Sequence, residues 1–548
     1  MPAFAAWTLV SAARMGALDR YTIDSFGVSG DALMESAGRS VVDFILAQGA
    51  EALATPDAEV MVFCGPGNNG GDGFVIARHL TLLGVPVRTL LLGEVSELRG
   101  EAALNFHRAE SVGCSVEPAW PLARPLAPGG VVVDALFGTG LGRALSGAVA
   151  DLVRHLNARR AGRGGWCVAV DLPSGLDAGT GQILGEALAV DATVTVNAPK
   201  MGLALEPGRG LAGEVWVARI GIADVLPGEE TETVKGAAVL WTGPAAARAL
   251  PERRPDGHKG SFGHVLVIGG SRGLSGAAAL SAIAAARAGA GLVSIGCPAS
   301  LSDVFEAQCA EVMTAALPET PEGALAEAAL DPIVSLAESR DVVALGPGLG
   351  REPETQALVR ALVERIRLPL VIDADGLNAL KAPATLRARQ AGTILTPHPG
   401  EAARLLGTDA QAINADRVGA AQELATLSGA VVLLKGPGTV IACPDGRVMI
   451  NPTGGPNLAT GGSGDVLTGL VAALLAQGLA GMEAAGLGAY VHGRAGDRIA
   501  RRRGEAGLLA SELADEMPSA MQQLREEGRE HGGQRDFGSA TLLPFPGT

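Results

Sequence analysis

The chain has 548 residues, which at roughly 100–200 residues per domain predicts two or three domains. Hydrophobic residues make up 47% and charged residues 18%, a composition that excludes a disordered chain. The formal charge of −15 argues against a general binder of nucleic acid or of anionic membranes, because both carry negative charge themselves. We therefore expect neither a nucleic-acid nor a membrane partner.

The six cysteines lie far apart and form no CxxC or Cys/His cluster, so we expect no zinc site and no disulfide framework. The first residues lack a basic stretch followed by a long apolar one, and we expect no signal peptide. Residues 466–482 are the most apolar segment; their borderline length predicts a buried helix rather than a membrane span. The chain is predicted to be cytoplasmic.

The first half alternates between helical and strand patterns in an order typical of parallel βαβ units. Apolar spacing predicts two helices within 11–50. Further along, the predicted elements are a strand at 60–64, a glycine-rich turn at 65–73, a helix to about 83, a strand at 85–92, and short buried strands at 131–134 and 168–171. Ligands of open α/β sheets bind at the carboxyl ends of the strands. That rule places five polar residues at one rim: Asn68, Asn69, Asp72, Asp134 and Asp171.

A polar, proline-containing stretch predicts a domain boundary near 225–235. A second α/β pattern follows it. Its predicted strands are 264–268, 342–345, 370–373, 393–395 and 431–434, with helices such as 277–288 and 355–366 between them. From about 501 the chain becomes charged and glycine-rich, and we expect 504–548 to form a flexible tail.

Three strand-end motifs of the first half could carry chemistry. The turn at 65–73 can bring backbone N–H groups to an anion, and its Asn and Asp residues favour a binding site over a plain tight turn. The loop at 138–143 is weaker evidence by itself. Asp134 and Ser174 offer hard oxygen ligands for a cation, although capping of a helix or turn remains an alternative for each.

The second half has no Walker A motif, since Gly-Lys occurs nowhere in the chain. It does contain the glycine-rich run 451–465, which precedes a long apolar helix. Such a run can hold phosphate oxygens with backbone N–H groups while Asp465 takes a proton from an attacking hydroxyl. The loop at 435–439 can hold further phosphate charge. Flanking prolines fix His398 at the same predicted rim.

These motifs resemble two known families. Residues 33–38, 67–73, 133–140, 170–175 and 198–200 resemble the NAD(P)H-hydrate epimerases. Residues 258–270, 346–350, 373–378, 396–401, 434–436 and 460–465 resemble the ADP-dependent NAD(P)H-hydrate dehydratases. Both sets in this order are similar to a family of bifunctional bacterial repair enzymes. The resemblance implies a Rossmann-like three-layer α/β domain at 1–228 and a ribokinase-like α/β domain at 234–503.

The resemblance also implies an activity. The first domain would interconvert the R and S epimers of hydrated NADH and NADPH. The second would dehydrate the S epimer at the expense of ADP and release AMP and phosphate. Asp171 would be the acid/base group of epimerisation, and Asp465 the base for phosphorylation of the hydroxyl, with magnesium accompanying the nucleotide. We also expect a homo-oligomer.

Site residues follow from the same resemblance. The epimerase substrate would contact Asn68, Asn69, Gly70, Gly71, Asp72, Gly138, Thr139, Gly140, Leu141, Gly142, Arg143, Ala144 and Asp171. Potassium would be held by Asn69, Asp134 and Ser174. In the dehydratase, the hydrate would contact Gly350, His398 and Asp465. The nucleotide would contact Lys435, Gly436, Pro437, Gly438, Thr439 and Gly464.

Three alternatives remain open. The second half could be a small-molecule kinase for a vitamin precursor, which would share the fold and Asp465. The first half could be a non-catalytic binding domain. An ordinary NAD-dependent dehydrogenase is the weakest of the three, because the GxGxxG fingerprint is missing.

Overall fold

The computed structural model describes residues 6–55, 58–126, 129–162, 165–228, 237–531 and 542–545. The chain divides into two compact units. The N-terminal unit comprises Thr8–Ala238 together with Phe537–Thr548, and the C-terminal unit comprises Val239–Asp536 together with Met1–Trp7. The division falls close to the boundary expected near 225–235, although residues 229–236 lie outside the described part of the chain.

The elements up to residue 218 are, in chain order, β1 (Ala6–Val10), α1 (Ala12–Phe26), α2 (Gly30–Gln48), α3 (Ala50–Leu53), β2 (Val60–Cys64), α4 (Asn68–Leu82), β3 (Val87–Leu91), α5 (Gly100–Ser111), β4 (Val116–Pro118), β5 (Val131–Ala135), α6 (Gly147–Ala161), β6 (Trp166–Val170), β7 (Ala192–Val196), α7 (Gly208–Leu211) and β8 (Glu214–Ala218).

The later elements are β9 (Ala237–Trp241), α8 (Gly243–Ala249), β10 (His264–Ile268), α9 (Ser275–Arg287), β11 (Leu292–Pro298), α10 (Ser302–Gln308), β12 (Met313–Leu317), α11 (Leu330–Ala337), β13 (Val342–Leu345), α12 (Pro353–Arg365), β14 (Leu370–Ile372), α13 (Ala374–Ala379), β15 (Thr393–Leu395), α14 (Pro399–Leu406), α15 (Ala410–Ala415), α16 (Arg417–Ser428), β16 (Val431–Leu434), β17 (Val440–Ala442), β18 (Val448–Ile450), α17 (Ser463–Ala476), α18 (Gly481–Arg503), α19 (Ala510–His531) and β19 (Leu542–Pro544).

The sheet of the N-terminal unit has the order β19-β8-β7-β6-β5-β2-β3-β4. Its pairs are parallel except for β19, which runs antiparallel to β8. Because β3 and β5 lie on opposite sides of β2, the strand order reverses at β2 and opens a crevice at the carboxyl ends of β2 and β5.

Helices cover both faces of this sheet, which makes three layers. Along β2, Val60 and Val62 pack in one apolar cluster with α2 and α4. Met61 and Phe63 point to the opposite face and pack with α6. This alternation follows from the two-residue period of a strand, and it confirms the expected parallel α/β architecture.

In the C-terminal unit the strand order is β9-β18-β17-β16-β15-β14-β13-β10-β11-β12. The pairs from β12 to β16 are parallel, whereas β17 is antiparallel to both neighbours. Here the order reverses between β10 and β13, so a second crevice opens at their carboxyl ends.

Helix α17 confirms the buried helix expected within 466–482. Its residues from Val466 to Leu474 are all buried in the core of the C-terminal unit. Among the described helices, none is both long and apolar enough to cross a membrane.

The flexible tail expected at 504–548 is wrong for much of its length. Residues Ala510–His531 form α19, and Leu513, Met517 and Leu524 are buried in the core. These residues recur at helical spacing, a signal that the high charge of the segment masked. Residues 542–544 form β19 at the edge of the N-terminal unit, while 532–541 lie outside the described residues.

Candidate active sites in the two units

The first site begins where β2 ends and α4 starts. The chain turns so tightly there that a Cβ at Gly70 would lie 1.8 Å from the carbonyl oxygen of Gly65. Only glycine allows this approach, which seats the first turn of α4 at the sheet edge. Gly71 is buried beside Met34. These two glycines shape the turn and lie behind the cavity rather than in its lining.

A cavity of about 650 Å³ lies at this crevice. Three loops that follow β2, β5 and β6 contribute most of the residues predicted for the first site: Asn68, Asn69, Asp72, Gly138, Thr139, Gly140, Leu141 and Asp171. The rest of the predicted loop, 142–144, is exposed and lies outside the lining. The cavity also has carboxylates that sequence reasoning did not select, on Asp19 and Glu101.

Asp171 is held in a strained and well-defined orientation. Its φ of 69° is in the left-handed region, which a residue other than glycine seldom adopts. Its Oδ1 accepts hydrogen bonds from Lys200 Nζ at 2.5 Å, Val196 N at 3.1 Å and Thr195 Oγ1 at 3.3 Å. Because three donors already occupy Oδ1, only Oδ2 of this carboxylate is available to exchange a proton with a ligand.

Asp171 Oδ2 faces the cavity beside Gly138. A Cβ added at Gly138 would lie 3.1 Å from Asp171 Oδ2 and 3.3 Å from Asn69 Oδ1. A side chain at 138 would therefore compete with substrate for the space in front of both polar groups.

Lys200 is a functional candidate that sequence reasoning missed. Its side chain is fully buried, and Nζ donates to Asp171, to Thr195 Oγ1 at 3.1 Å and to the Val196 carbonyl at 2.8 Å. All three ammonium protons are thus engaged by protein acceptors, and one of them is donated to the Asp171 carboxylate. A lysine that follows an apolar strand, in a chain with few lysines, was the available signal.

Asp134 and Ser174 contact each other directly, and neither lines the cavity. Ser174 Oγ donates to Asp134 Oδ1 at 2.6 Å, and Ser174 N donates to Oδ2 at 2.7 Å. Burial raises the pKa of the Asp134 carboxyl to about 6, against the effect of these hydrogen bonds. Within the described chain this carboxylate has no cationic side chain as a partner.

The predicted potassium ligands fit a monovalent cation by their chemistry. Asp134 and Ser174 supply carboxylate and hydroxyl oxygens, and Asn69 supplies an amide oxygen. The Asn69 Nδ2 is buried without a hydrogen-bond partner, so this amide is not committed to other protein groups. The described residues contain no group of three His, Cys, Asp or Glu side chains suited to a metal ion.

The second site is centred on Asp465 in the first turn of α17. Burial, followed by the negative charge of Asp373, raises the pKa of Asp465 to about 7, while Lys435 acts in the opposite direction. A carboxylate with a pKa near neutrality is suited to accept a proton at physiological pH.

Lys435 lies beside Asp465 but is bound to another carboxylate. Its Nζ lies 2.6 Å from Asp373 Oδ1 and 4.0 Å from Glu401 Oε2. Although burial opposes its charge, these carboxylates raise the pKa of Lys435. Thr468 Oγ1 donates to Asp373 Oδ2 at 2.7 Å, so Asp373 is held from both sides. Sequence patterns alone had assigned no role to Asp373, Glu401 or Thr468.

The backbone around Lys435 brings the predicted nucleotide residues together. A Cβ at Gly464 would lie 3.4 Å from Lys435 Nζ, which places the start of α17 against this lysine. The loop 435–439 is closed by Thr439 Oγ1, which donates to the Gly436 carbonyl at 3.0 Å. Arg417, also missed from sequence, donates to the carbonyls of Leu434 and Lys435 at 3.2 Å each.

His398 caps the N-terminus of α14 through its ring nitrogen Nδ1. Its Nδ1 accepts from the backbone N–H groups of Gly400 at 3.0 Å and Glu401 at 3.3 Å. The neutral ring therefore carries its proton on Nε2, and more than half of the side chain is exposed. Gly350 N donates to Asp375 Oδ2 at 3.0 Å at the end of β13.

Comparisons with known proteins give a family match in each unit. A family model described as NAD(P)H-hydrate dehydratase matches residues 265–519, and one described as YjeF-related protein N-terminus matches residues 30–202. The bifunctional NAD(P)H-hydrate repair enzyme of Moorella thermoacetica is 44% identical over 95% of this chain and 97% of its own. The enzyme of the same name from Thermofilum pendens is 42% identical over 93% and 95%.

One solved structure is also similar. It is the ADP/ATP-dependent NAD(P)H-hydrate dehydratase of Bacillus subtilis crystallised with ATP and Mg²⁺, at 31% identity over 52% of this chain and 98% of that chain, with a TM-score of 0.46.

Two α/β units, each with a group of carboxylates beyond the carboxyl ends of its parallel strands, define a two-site enzyme. The chain belongs to the family of bifunctional NAD(P)H-hydrate repair enzymes.

Proposed function

We propose that the chain repairs hydrated NADH and NADPH in two steps. The N-terminal unit interconverts the R and S epimers of the hydrate, and the C-terminal unit dehydrates the S epimer with ADP, releasing AMP and phosphate. The observation that carries this proposal is the presence of two separate carboxylate sites in a chain whose relatives carry the repair-enzyme name along almost their full length. Segments 1–228 and 234–503 hold the two activities.

In the first site, the hydrate occupies the cavity against Asn68, Asn69, Asp72 and 138–141, and Asp171 Oδ2 exchanges a proton with it. Support comes from the saturation of Oδ1 and from the open space that Gly138 leaves in front of Oδ2. The exposed residues 142–144 contact the part of the substrate that extends beyond the cavity.

Asn69, Asp134 and Ser174 would hold a potassium ion in this unit. The support is the buried Asp134 carboxylate, which lacks a cationic side-chain partner in the described chain. Bound there, the ion would supply the missing positive charge and fix three strand-end loops to one another.

In the second site, Asp465 accepts the proton of the substrate hydroxyl as its oxygen attacks the β-phosphorus of ADP and AMP leaves. The ring-nitrogen lone pair then expels phosphate, and loss of a proton from the neighbouring carbon restores the reduced nicotinamide. Magnesium bound with the ADP phosphates would neutralise their charge. Lys435 and the backbone of 436–439 and Gly464 hold the nucleotide, while Gly350 and His398 Nε2 hold the hydrate.

The test uses the full chain and a mixture of hydrate epimers. With ADP and magnesium, we expect both epimers to be consumed, the absorbance of the reduced nicotinamide to return, and AMP and phosphate to appear in equal amounts. Without ADP, the epimers should only interconvert. A stable phosphorylated product would instead indicate a kinase. A cytoplasmic location and a homo-oligomeric state remain predictions.

A further inference from the structure

Asp72 is a second carboxyl group in the epimerase cavity, and its surroundings differ from those of Asp171. It lies in the second turn of α4 and lines the same cavity. In the described part of the chain, no hydrogen bond or ion pair ends on its side chain. Its carboxyl group is therefore available to a ligand, whereas one oxygen of Asp171 is fully occupied by protein donors.

The two carboxyl groups also differ in their charged neighbours. Burial, followed by the charge of Asp171, raises the pKa of Asp72 well above its usual range, and Lys200 opposes this only in part. Asp171, in contrast, contacts the ammonium group of Lys200 directly. Two carboxyls with such opposed environments in one cavity are the usual arrangement of a general acid and a general base.

Two other carboxylates face this cavity, and each has a different neighbourhood. Asp19 contributes to the raised pKa of Asp72, but the charges that act on Asp19 itself are those of Arg20 and Glu101. Glu101 lies against Gly30, where a Cβ would be 2.8 Å from its Oε1. Of these cavity-lining carboxyls, only Asp72 is coupled to the Asp171–Lys200 pair and free of hydrogen bonds.

We propose that Asp72 is the general acid that works with Asp171 as general base, and that together they epimerise the hydrate by opening and closing its ring. This inference rests on the proposed function of the N-terminal unit. It assigns a catalytic role to Asp72, which otherwise counts as a substrate contact, and it makes Lys200 the positioning residue of the base.

The reaction balances without any further reactant. Asp171 Oδ2 takes the hydroxyl proton, the C–O bond becomes a carbonyl, and the bond between that carbon and the ring nitrogen breaks. The electron pair of the broken bond goes to the nitrogen, which takes the proton of Asp72. Rotation of the aldehyde exposes its other face to the nitrogen. On ring closure the nitrogen attacks the carbonyl carbon and returns its proton to Asp72, while Asp171 gives its proton back to the oxygen, which restores the hydroxyl and leaves the opposite epimer.

The first experiment tests the acid. In the full chain, Asp72→Asn should lower kcat for epimerisation by about 10²–10⁴-fold, with little change in KM, and should abolish the fall in rate at high pH that deprotonation of Asp72 causes. Asp72→Glu should keep that alkaline fall at a reduced rate. Asp43→Asn changes an exposed carboxylate on α2 and should match the wild type. Dehydration of pure S epimer reports whether each variant is folded.

If Asp72→Asn raises KM but keeps both kcat and the alkaline fall, Asp72 only binds substrate and the inference is wrong. If the wild-type chain does not interconvert epimers at all, the proposed function itself fails. The two failures are therefore distinguishable.

A second measurement needs no variant. In water enriched in ¹⁸O, the first turnovers should yield an epimer that retains its original hydroxyl oxygen, because ring opening breaks the carbon–nitrogen bond. Full incorporation of ¹⁸O in the first turnover would show loss and return of water, and would overturn the ring-opening step.

Discussion

The reactive carboxylates of the two units differ in position and in their relation to a lysine: Asp171 directly follows strand β6, whereas Asp465 lies in the first turn of helix α17. In the N-terminal unit, Lys200 binds Asp171 itself at 2.5 Å. In the C-terminal unit, Lys435 binds Asp373 at 2.6 Å and leaves Asp465 in a field of other carboxylates, with its pKa at about 7. Both units thus combine aspartates with a lysine. In the N-terminal unit the lysine holds the reactive Asp171, whereas in the C-terminal unit the reactive Asp465 has a raised pKa and can accept a proton.

This difference suits the two proposed reactions. Ring opening and closing moves protons in both directions, so a fixed base can work with a separate acid. Phosphorylation needs a base that removes one proton and a separate cation that neutralises the phosphate charge. Lys435 can neutralise that charge, because Asp373, itself held by Thr468, keeps the lysine beside Gly464. The comparison therefore predicts which residues affect one activity alone.

The largest expected effect is at Asp465. Asp465→Asn should lower dehydration by about 10²–10⁴-fold, because the variant cannot accept the hydroxyl proton. Epimerisation should be unchanged, since that site belongs to the other unit. Both activities are measured on the same preparation with pure S epimer and with mixed epimers. Near wild-type dehydration by this variant would refute the role of Asp465, and the exposed Asp331→Asn serves as its control.

The reciprocal prediction concerns Lys200. Lys200→Met should lower epimerisation by roughly 10²-fold, because Asp171 Oδ2 loses its fixed orientation. Dehydration of pure S epimer should be retained, and Lys200→Arg should recover part of the loss. The effect should appear in kcat more than in KM, because Lys200 has no free proton to offer substrate. The exposed Lys381→Met is the matched control, and equal effects of the two variants would contradict the assignment.

Sequence patterns predicted the strands that carry both sites, because buried parallel strands are continuous apolar runs. The predicted bounds of β2, β10, β13, β15 and β16 agree with the structure. The polar residues after β2, β5 and β6 could be assigned to one crevice, since the carboxyl ends of parallel strands share an edge.

The partners of those residues could not be predicted in the same way. Asp171 and Lys200 are 29 residues apart and meet only because β7 lies beside β6 and the chain turns back after Val196. Asp373 and Thr468 are 95 residues apart. Such pairs depend on strand order and on how α17 packs, neither of which a local pattern contains.

A smaller, graded effect is expected from pH. Because Asp465 must be unprotonated to act, kcat/KM for dehydration should fall about tenfold per pH unit well below its pKa of about 7. Epimerisation should not share this midpoint, because Asp465 belongs to the other unit. Profiles of both activities between pH 5 and 9 test this, with pure S epimer for dehydration. If the rates of both activities fell at the same acidic pH, the proposal that Asp465 alone sets the acid dependence of dehydration would be wrong.

The potassium site should affect only the N-terminal unit. Replacing potassium by a bulky organic cation should weaken epimerisation several-fold, and Asp134→Asn should make it insensitive to the cation, because the buried charge that attracts the ion is gone. Dehydration of pure S epimer should stay unchanged throughout. A crystal soaked in rubidium should show an anomalous peak between Asn69, Asp134 and Ser174. A peak elsewhere, with none at these residues, would rule out this ligand set.

The smallest expected effect is on stability, again at Asp465. Its pKa is about 7 in the folded chain and ordinarily 3.8, so the folded state holds the proton more tightly. The stability that this proton contributes is complete below about pH 4 and is lost as pH rises through about 7. Asp465→Asn removes the buried charge, and at pH 8 it should stabilise the C-terminal unit by on the order of 1 kcal/mol, or roughly 2–4 °C in Tm.

Calorimetry with and without ADP and magnesium identifies the unfolding transition of the C-terminal unit, because bound ligand raises its Tm. At pH 4 the two proteins should melt alike, since the native carboxyl is then protonated. A lower Tm for the variant at pH 8 would mean that the charge of Asp465 is stabilised by its neighbours, which would contradict its role as a base held near neutrality by burial.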